Sequence, residues 1–462
     1  MVLIRKCLLT LIILGLITRG FSQEKKETIK LSISEAQTYA LQNNRTVQSA
    51  KLDIEIASKK VWETTAIGLP QFNFATNYQH QFVVPQVSFG SYLDPNALPA
   101  GVPLTQQDII NAYKSSPPVE LGVKNNTTFD FTVSQLIFSG EYIVGLQALR
   151  VLKQVSEKAL VKTEGQTKES VATTYHLVIV LGENVKVLNA SLKSIDKTYN
   201  DLVKMNQQGF NEETDVDQIK INRSNIQTLI TSLESQKEIS TKLLKYQLGM
   251  DFEQPLVLTD SISSLVNQGN IQYLASPDFD VNNSIDYQIV TNLEKISALS
   301  LKREQSKFLP TISGFYRHQE QAQVASFNFA VKDVMGVTLS LPIFTSGSRT
   351  ARVSQAKFDL EKSHLDKNNA EQGLIMEFES AKSSYQTAFS NYNVNKESMD
   401  LSKKVYDKTV IKYSEGVSSS FELTQNQNQY LAAESNYYNS VLSLLNAKAK
   451  LDRILNKSVE VK

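Results

Sequence analysis

Two kinds of hydrophobic period alternate along this chain. Between residues 71 and 84, Phe72, Phe74, Thr76, Tyr78, His80, Phe82 and Val84 share one face. Gln71, Asn73, Ala75, Asn77, Gln79 and Gln81 share the other. A period of two predicts a strand with one apolar, aromatic face and one polar face. Over 125–138, Phe129, Phe131 and Val133 alternate with Asp130, Thr132 and Ser134. Ile312, Gly314 and Tyr316 alternate with Ser313, Phe315 and Arg317 less cleanly in a third strand, 311–319. Met335, Val337, Leu339 and Leu341 alternate with Gly336, Thr338 and Ser340 in a fourth, 333–343. Each is near the roughly 9–11 residues that a membrane-spanning strand needs.

Between the strands the period becomes helical. No proline occurs between Pro118 and Pro255, or after Pro342. Proline breaks helix interiors, so long helices are expected in these two tracts. The stretches 140–208 and 347–415 are 69 residues each. Each would be ~100 Å long at 1.5 Å per residue. Gly209 and Gly416 suit helix C-caps. Return helices are predicted over 214–248 and 419–455. Their apolar residues recur every seven positions: Ile219, Ile226 and Leu233 in one, Leu423, Tyr430, Tyr437, Leu444 and Leu451 in the other. A seven-residue repeat specifies supercoiled packing. Shorter helices are predicted at 34–67, opened by a Ser32–Glu35 capping box, and at 284–307.

These elements are one module written twice. Gly347 stands 207 residues after Gly140, and Gly416 stands 207 after Gly209. The Leu69-Pro70 and Leu309-Pro310 pairs that precede the first strands are 240 apart. The excess of 33 places a longer loop in copy one, at 85–118, where six of the eleven prolines lie. The expected organisation is a first repeat over 23–249, a connecting equatorial segment over 250–283 and a second repeat over 284–456.

Composition narrows the class. The chain has 462 residues, 41% hydrophobic, with a mean hydropathy of −0.24. That excludes a polytopic helical membrane protein but allows a β-barrel, whose apolar content is diluted by alternation. The net charge of +1 gives no sign of nucleic-acid binding. Residues 1–22 read as a signal peptide: Arg5 and Lys6, the apolar run from Cys7 to Ile17, then Gly20-Phe21-Ser22 for cleavage before Gln23. Cleavage removes three cations, for a mature charge of −2, and the only cysteine. His80, His176, His318 and His364 have no ligand spacing. With no phosphate-cradling loop and no nucleophile motif, neither an enzyme nor a cofactor is expected. Four strands cannot close a barrel, which starts at about eight. If these strands enter a membrane, the barrel is shared among chains.

The signal peptide, the duplicated helix–strand–strand–long helix–helix units, the Leu-Pro pairs and Pro342-Ile-Phe-x-x-Gly347 together resemble the TolC-type outer membrane efflux family. The resemblance spans about Ser32 to Asn456. It implies a mixed α/β membrane protein, mainly helical, that assembles as a homotrimer. Each protomer would give four strands to a twelve-stranded barrel continued by a periplasmic α-helical barrel. Gln71, Asn73, Asn77 and Gln79 would face the lumen; Phe72, Phe74, Tyr78 and Phe82 would face lipid. Loop 85–118 would be extracellular. The turns at Gly209 and Gly416 would form the periplasmic tip, a gate and a contact for the adaptor.

Residue by residue, Thr214 and Asp215 match the family's Thr-Asp after the first turn. Tyr413 matches a tyrosine that contacts that Asp, and Glu422 a pore-lining acid. Ser418 stands where a basic residue is frequent and Gln425 where a second acid is, so the charge network is thinner. The implied function is a passive outer-membrane exit duct for small molecules or proteins, in a tripartite efflux or type I secretion system. Its implied partners are a periplasmic adaptor (a membrane fusion protein), an inner-membrane pump of RND or ABC type, and outer-membrane lipid. The competing reading is a coiled-coil tether or surface adhesin without a channel, which would need no polar strand face.

Overall fold

A computed structural model describes residues 27–116, 118–267, 279–324 and 330–456. The signal peptide expected at 1–22 and part of the connecting segment lie outside them.

Strand β1 (Ile29–Leu31) leads into α1 (Ile33–Asn43), which opens with the expected capping box. Glu35 N–H donates to Ser32 Oγ, and Ser32 N–H to Glu35 Oε2 at 2.7 Å. The single helix expected over 34–67 is two. Asn44 leaves the helical region, and α2 (Arg45–Ile67) starts immediately after it. Asn44 Oδ1 accepts from the N–H groups of Thr46 and Val47, at 2.8 and 3.2 Å. One asparagine therefore ends α1 and caps α2.

Strand β2 (Gln71–His80) is shorter than the expected 71–84. After it, the proline-rich excursion is a nested hairpin. It contains β3 (Gln86–Val87), β4 (Ser91–Leu93), α3 (Gln106–Ala112), β5 (Tyr113–Ser115) and β6 (Val119–Glu120). β4 pairs with β5 inside the β3–β6 ladder. Strand β7 (Asn125–Phe138) then leads to α4 (Gly140–Gln207) and α5 (Glu213–Leu248). The connecting segment contributes β8 (Leu256–Leu258), parallel to β1, and α6 (Ile262–Asn267). Copy two follows: α7 (Ile285–Ser306), β9 (Thr311–Gln321), β10 (Asp333–Ser340), α8 (Ser348–Ser414) and α9 (Ser420–Ile454).

Two compact units emerge, and they cut across the repeats. Glu55–Gln154 with Asn292–Leu365 form one; Met1–Ile54, Val155–Thr291 and Asp366–Lys462 form the other. The reason is pairing. Strands of both copies share one sheet, and helices of both copies share one core.

The sheet is antiparallel throughout, in the order β10-β9-β7-β2. Its register stacks like on like. Phe72 lies opposite Val133, Phe74 opposite Phe131 and Tyr316 opposite Met335, with the Phe74 and Phe131 rings 4.7 Å apart. The other face carries a polar network: Gln319 Nε2 donates to Asp130 Oδ1 at 2.9 Å, and Asn77 and Thr128 reach Oδ2. Phe315 is the aromatic exception there. It seats its ring on Gly336, where a Cβ would come within 2.9 Å of the ring.

The helical unit is built around Ala36 and Ala40 of α1, Tyr175 of α4, Leu244 and Leu248 of α5, Phe378 of α8 and Leu451 of α9. Tyr175 is fully buried. Its hydroxyl donates to Asp260 Oδ2 at 2.8 Å and lies 3.1 Å from Leu31 O, so the polar tip is satisfied. Most of the seven-residue repeat is a buried seam: Leu423, Tyr430, Leu444 and Leu451 of α9 and Ile219 and Ile226 of α5 are buried, while Leu233 and Tyr437 are half-buried.

Candidate functional site: the paired helical turns

Both long helices end the same way. Gly209 and Gly416 adopt φ of +77° and +76°, a region where a side chain is strained. Phe210 N–H donates to Met205 O at 3.0 Å and Gly209 N–H to Asn206 O at 2.9 Å. Val417 donates to Lys412 O and Gly416 to Tyr413 O in the same pattern, at 2.9 and 3.1 Å. Each turn is a Schellman motif that satisfies the last carbonyls of its helix. The residue after each glycine is a large apolar side chain exposed to solvent: Phe210 and Val417, both 73% exposed; Phe421 is 63% exposed.

The acids follow at matched positions. Asp215 and Glu422 stand 207 apart, each in the first turn of its return helix. A carboxylate there is favoured by the helix dipole. Asp215 Oδ1 accepts a hydrogen bond from Ser420 Oγ, across from one turn to the other. Glu422 accepts from Ser418 Oγ at 2.7 Å, while its own N–H donates to Ser419 Oγ. Ser418 thus holds this acid with a neutral donor. Thr214 donates to Glu212 Oε2 at 3.2 Å. Gln425 is exposed.

Tyr413 packs half-buried against Tyr406, Leu423 and Tyr430. Burial, and then the negative charge of Asp215, push its hydroxyl up to about 12. Asp215 is near enough to be felt, yet its hydrogen bond comes from Ser420. Neither Ser420 nor the Phe210–Val417 pair was singled out from sequence. The 207-residue offset could have found the pair, since both follow the matched glycines.

The strand residues divide as the alternation predicts. Gln71, Asn73, Asn77 and Gln79 share the face of Asp130, and Phe72, Phe74 and Tyr78 the face of Phe131. Phe82 lies beyond the end of β2 at His80, 90% exposed, with its ring edge-on to that histidine. Pairing with β7 stops at the His80–Asn125 pair, so Phe82 is not a strand residue. No helix among the described residues is long and apolar enough to cross a membrane.

The same fold occurs in solved outer-membrane channels. Residues 300–457 match the family model described as "Outer membrane efflux protein". No curated protein matches. Among solved structures, CusC is 15% identical with a TM-score of 0.73, over 93% of this chain and 93% of that one. The CmeC outer membrane channel of Campylobacter jejuni is 16% identical with a TM-score of 0.72, over 92% and 85%. The MtrE outer membrane channel of Neisseria gonorrhoeae, in its open state, is 14% identical with a TM-score of 0.68, over 92% and 88%. The resemblance to the outer membrane efflux family therefore holds in sequence over 300–457 and in fold over more than nine-tenths of the chain.

Proposed function

We propose that this chain is the outer-membrane exit duct of a tripartite efflux or type I secretion system. The observation that carries the reading is the sheet. One face is apolar and exposed: Phe72, Phe74, Met335, Val337 and Leu339 are each at least 60% exposed. The other face is polar, and both edges, β2 and β10, are unpaired among the described residues. An exposed apolar face and two open edges are a liability in water. They fit a protomer whose β10 pairs with β2 of the next copy. Three copies close a twelve-stranded barrel, with the apolar face toward lipid and the polar face, including Gln71, Asn73, Asn77 and Gln79, lining a water-filled lumen.

In this reading the paired turns are the periplasmic tip. Asp215, Glu422, Thr214, Tyr413 and Gln425 surround the gate. Gly209, Gly416 and Ser418 shape the surface that meets a periplasmic adaptor, and an inner-membrane pump of RND or ABC type supplies the energy. The duct performs no chemistry and needs no cofactor. The test is heat-modifiable migration of membrane-extracted protein together with single-channel recording in a planar bilayer. A stable oligomer that conducts is expected; a soluble, non-conducting protein would eliminate the duct in favour of a tether.

A further inference from the structure

The helix-proximal end of the sheet carries a charged recess whose lining cations all come from copy two. It measures about 350 Å³ and is lined by Glu141, Lys307, Thr311, Ser340, Arg349 and Arg352. Thr311 and Ser340 lie opposite each other on the polar face, so the recess belongs to that face. Arg303 joins the same cluster from α7. The carboxylates of the cluster are shared: Lys307 Nζ sits 2.6 Å from Glu304 and 3.6 Å from Glu141, and Arg303 sits 3.5 and 3.7 Å from the same two. Four cations face two carboxylates, which leaves two positive charges over.

Copy one shows that the fold does not need this charge. At the matched positions it has Glu63 for Arg303, Ile67 for Lys307, Tyr142 for Arg349 and Gly145 for Arg352. Arg349 has a structural task. Its guanidinium donates to Lys307 O at 2.5 Å and lies over the Phe308 ring. Tyr142 does the equivalent work without charge, donating to Thr65 O at 3.1 Å above Gly68. Arg352 has no such task. It is exposed, makes no hydrogen bond or close ion pair among the described residues, and its charge is felt at a distance by the Glu304 carboxylate. A neutral partner suffices for packing, so the surplus charge awaits another explanation.

We propose that this recess is an oxyanion-binding station on the polar face, taking the phosphate or carboxylate group of a passing solute. The planar guanidinium of Arg352 suits such a group, and the Thr311 and Ser340 hydroxyls add neutral donors. The role in transport rests on the duct reading: three protomers would repeat the station as a ring, and rings of arginine or lysine favour anions in pores.

The experiment uses the full chain reconstituted in a planar bilayer under a potassium chloride gradient, with inorganic phosphate added as probe. The expected result is a reversal potential on the anion side and a chloride current reduced by phosphate. In Arg352→Ala both effects weaken, and Arg349→Tyr, the copy-one residue, weakens them further. A conducting Arg352→Ala with the same reversal potential and the same phosphate sensitivity overturns the station and leaves the duct intact. If no protein conducts, the duct reading fails, and titration of phosphate onto the solubilised protein decides the station alone. Roughly tenfold weaker binding in Arg352→Ala is expected, and unchanged binding overturns it.

Discussion

At the turns, the two copies of the module are nearly interchangeable; at the strand ends they are not. Gly209 and Gly416 share a dihedral, a hydrogen-bond pattern, an exposed apolar successor and an acid six residues on. In the strand region, copy one carries the nested hairpin between β2 and β7, where copy two needs only a short connection from Gln321 to Asp333. The cations of the charged recess also come from copy two alone, while Glu141 is supplied by copy one. Two hairpins packed along one seam must keep equal helix length, because inserting one residue would rotate every later side chain by about 100° out of the seam. A loop beyond the last strand pair carries no such constraint.

The largest test of this equivalence is in the core. Leu244 and Leu451 are 207 residues apart and 0% and 1% exposed. Leu244→Ala and Leu451→Ala should each cost about 2–5 kcal/mol, by similar amounts, in denaturant unfolding. Costs that differ several-fold would show that the copies are not energetically matched.

The comparison breaks at Glu434, whose counterpart is the exposed Gln227. Glu434 is 3% exposed on α9; Tyr430 Oη donates to one oxygen at 3.1 Å, and the other has no partner. Tyr438 from the same helix, Lys403 from α8 and, beyond Tyr438, Glu183 from α4 complete its electrostatic surroundings. Burial raises its carboxyl to about 7. The folded state therefore holds a proton that the unfolded state releases near its ordinary value, so stability falls as pH rises from there to about 7 and then levels. Glu434→Gln, the copy-one residue, should remove that slope and stabilise the protein at pH 8 by on the order of 1–2 kcal/mol. Parallel pH–stability curves for the two proteins would contradict this.

Next come the glycines. Nothing lies within 4 Å of a Cβ built on Gly209 or Gly416. Their alanine variants should each lose only the strain of the left-handed region, about 1–2 kcal/mol. Gly249 has a similar φ, but a Cβ there would sit 2.2 Å from Asn43 O. Gly249→Ala should therefore be the most damaging of the three in thermal unfolding, and equal losses would refute the role given to that close approach.

The smallest stability effect, and the most telling for the tip, concerns Asp215. Ser420→Ala removes one hydrogen bond, about 1 kcal/mol, and should raise closed-state conductance in the reconstituted channel. Asp215→Ala combined with Tyr413→Phe should raise it at least as far. If Tyr413→Phe alone matched the pair while Ser420→Ala did nothing, the tyrosine rather than the serine would hold the acid.

Much of this was legible in the chain. Strict alternation marked β2 and β7 because a strand with two unlike faces has no other period. Missing prolines and matched glycines marked the long helices and their ends. The Asn44 break was not legible, because asparagine inside a helical pattern is only weakly unfavourable. What decides there is its side chain, which caps α2 and donates to Gln247 O at 2.6 Å, 203 residues away. The nested hairpin hid behind its prolines for a similar reason. The Ser420–Asp215 bond joins residues 205 apart, and no local spacing announces such a pair.

The sequence by itself determined the period of each element, the lengths of the two long helices and the two faces of each strand, because these depend on neighbours within a few residues. Tertiary structure alone decided the sheet order β10-β9-β7-β2, the parallel pairing of β1 with β8 and the partner of Asp215. It also decided the gathering of Lys307, Arg349 and Arg352 around one recess. Each of these depends on which distant segments meet, and a sequence pattern carries only the side that each segment offers.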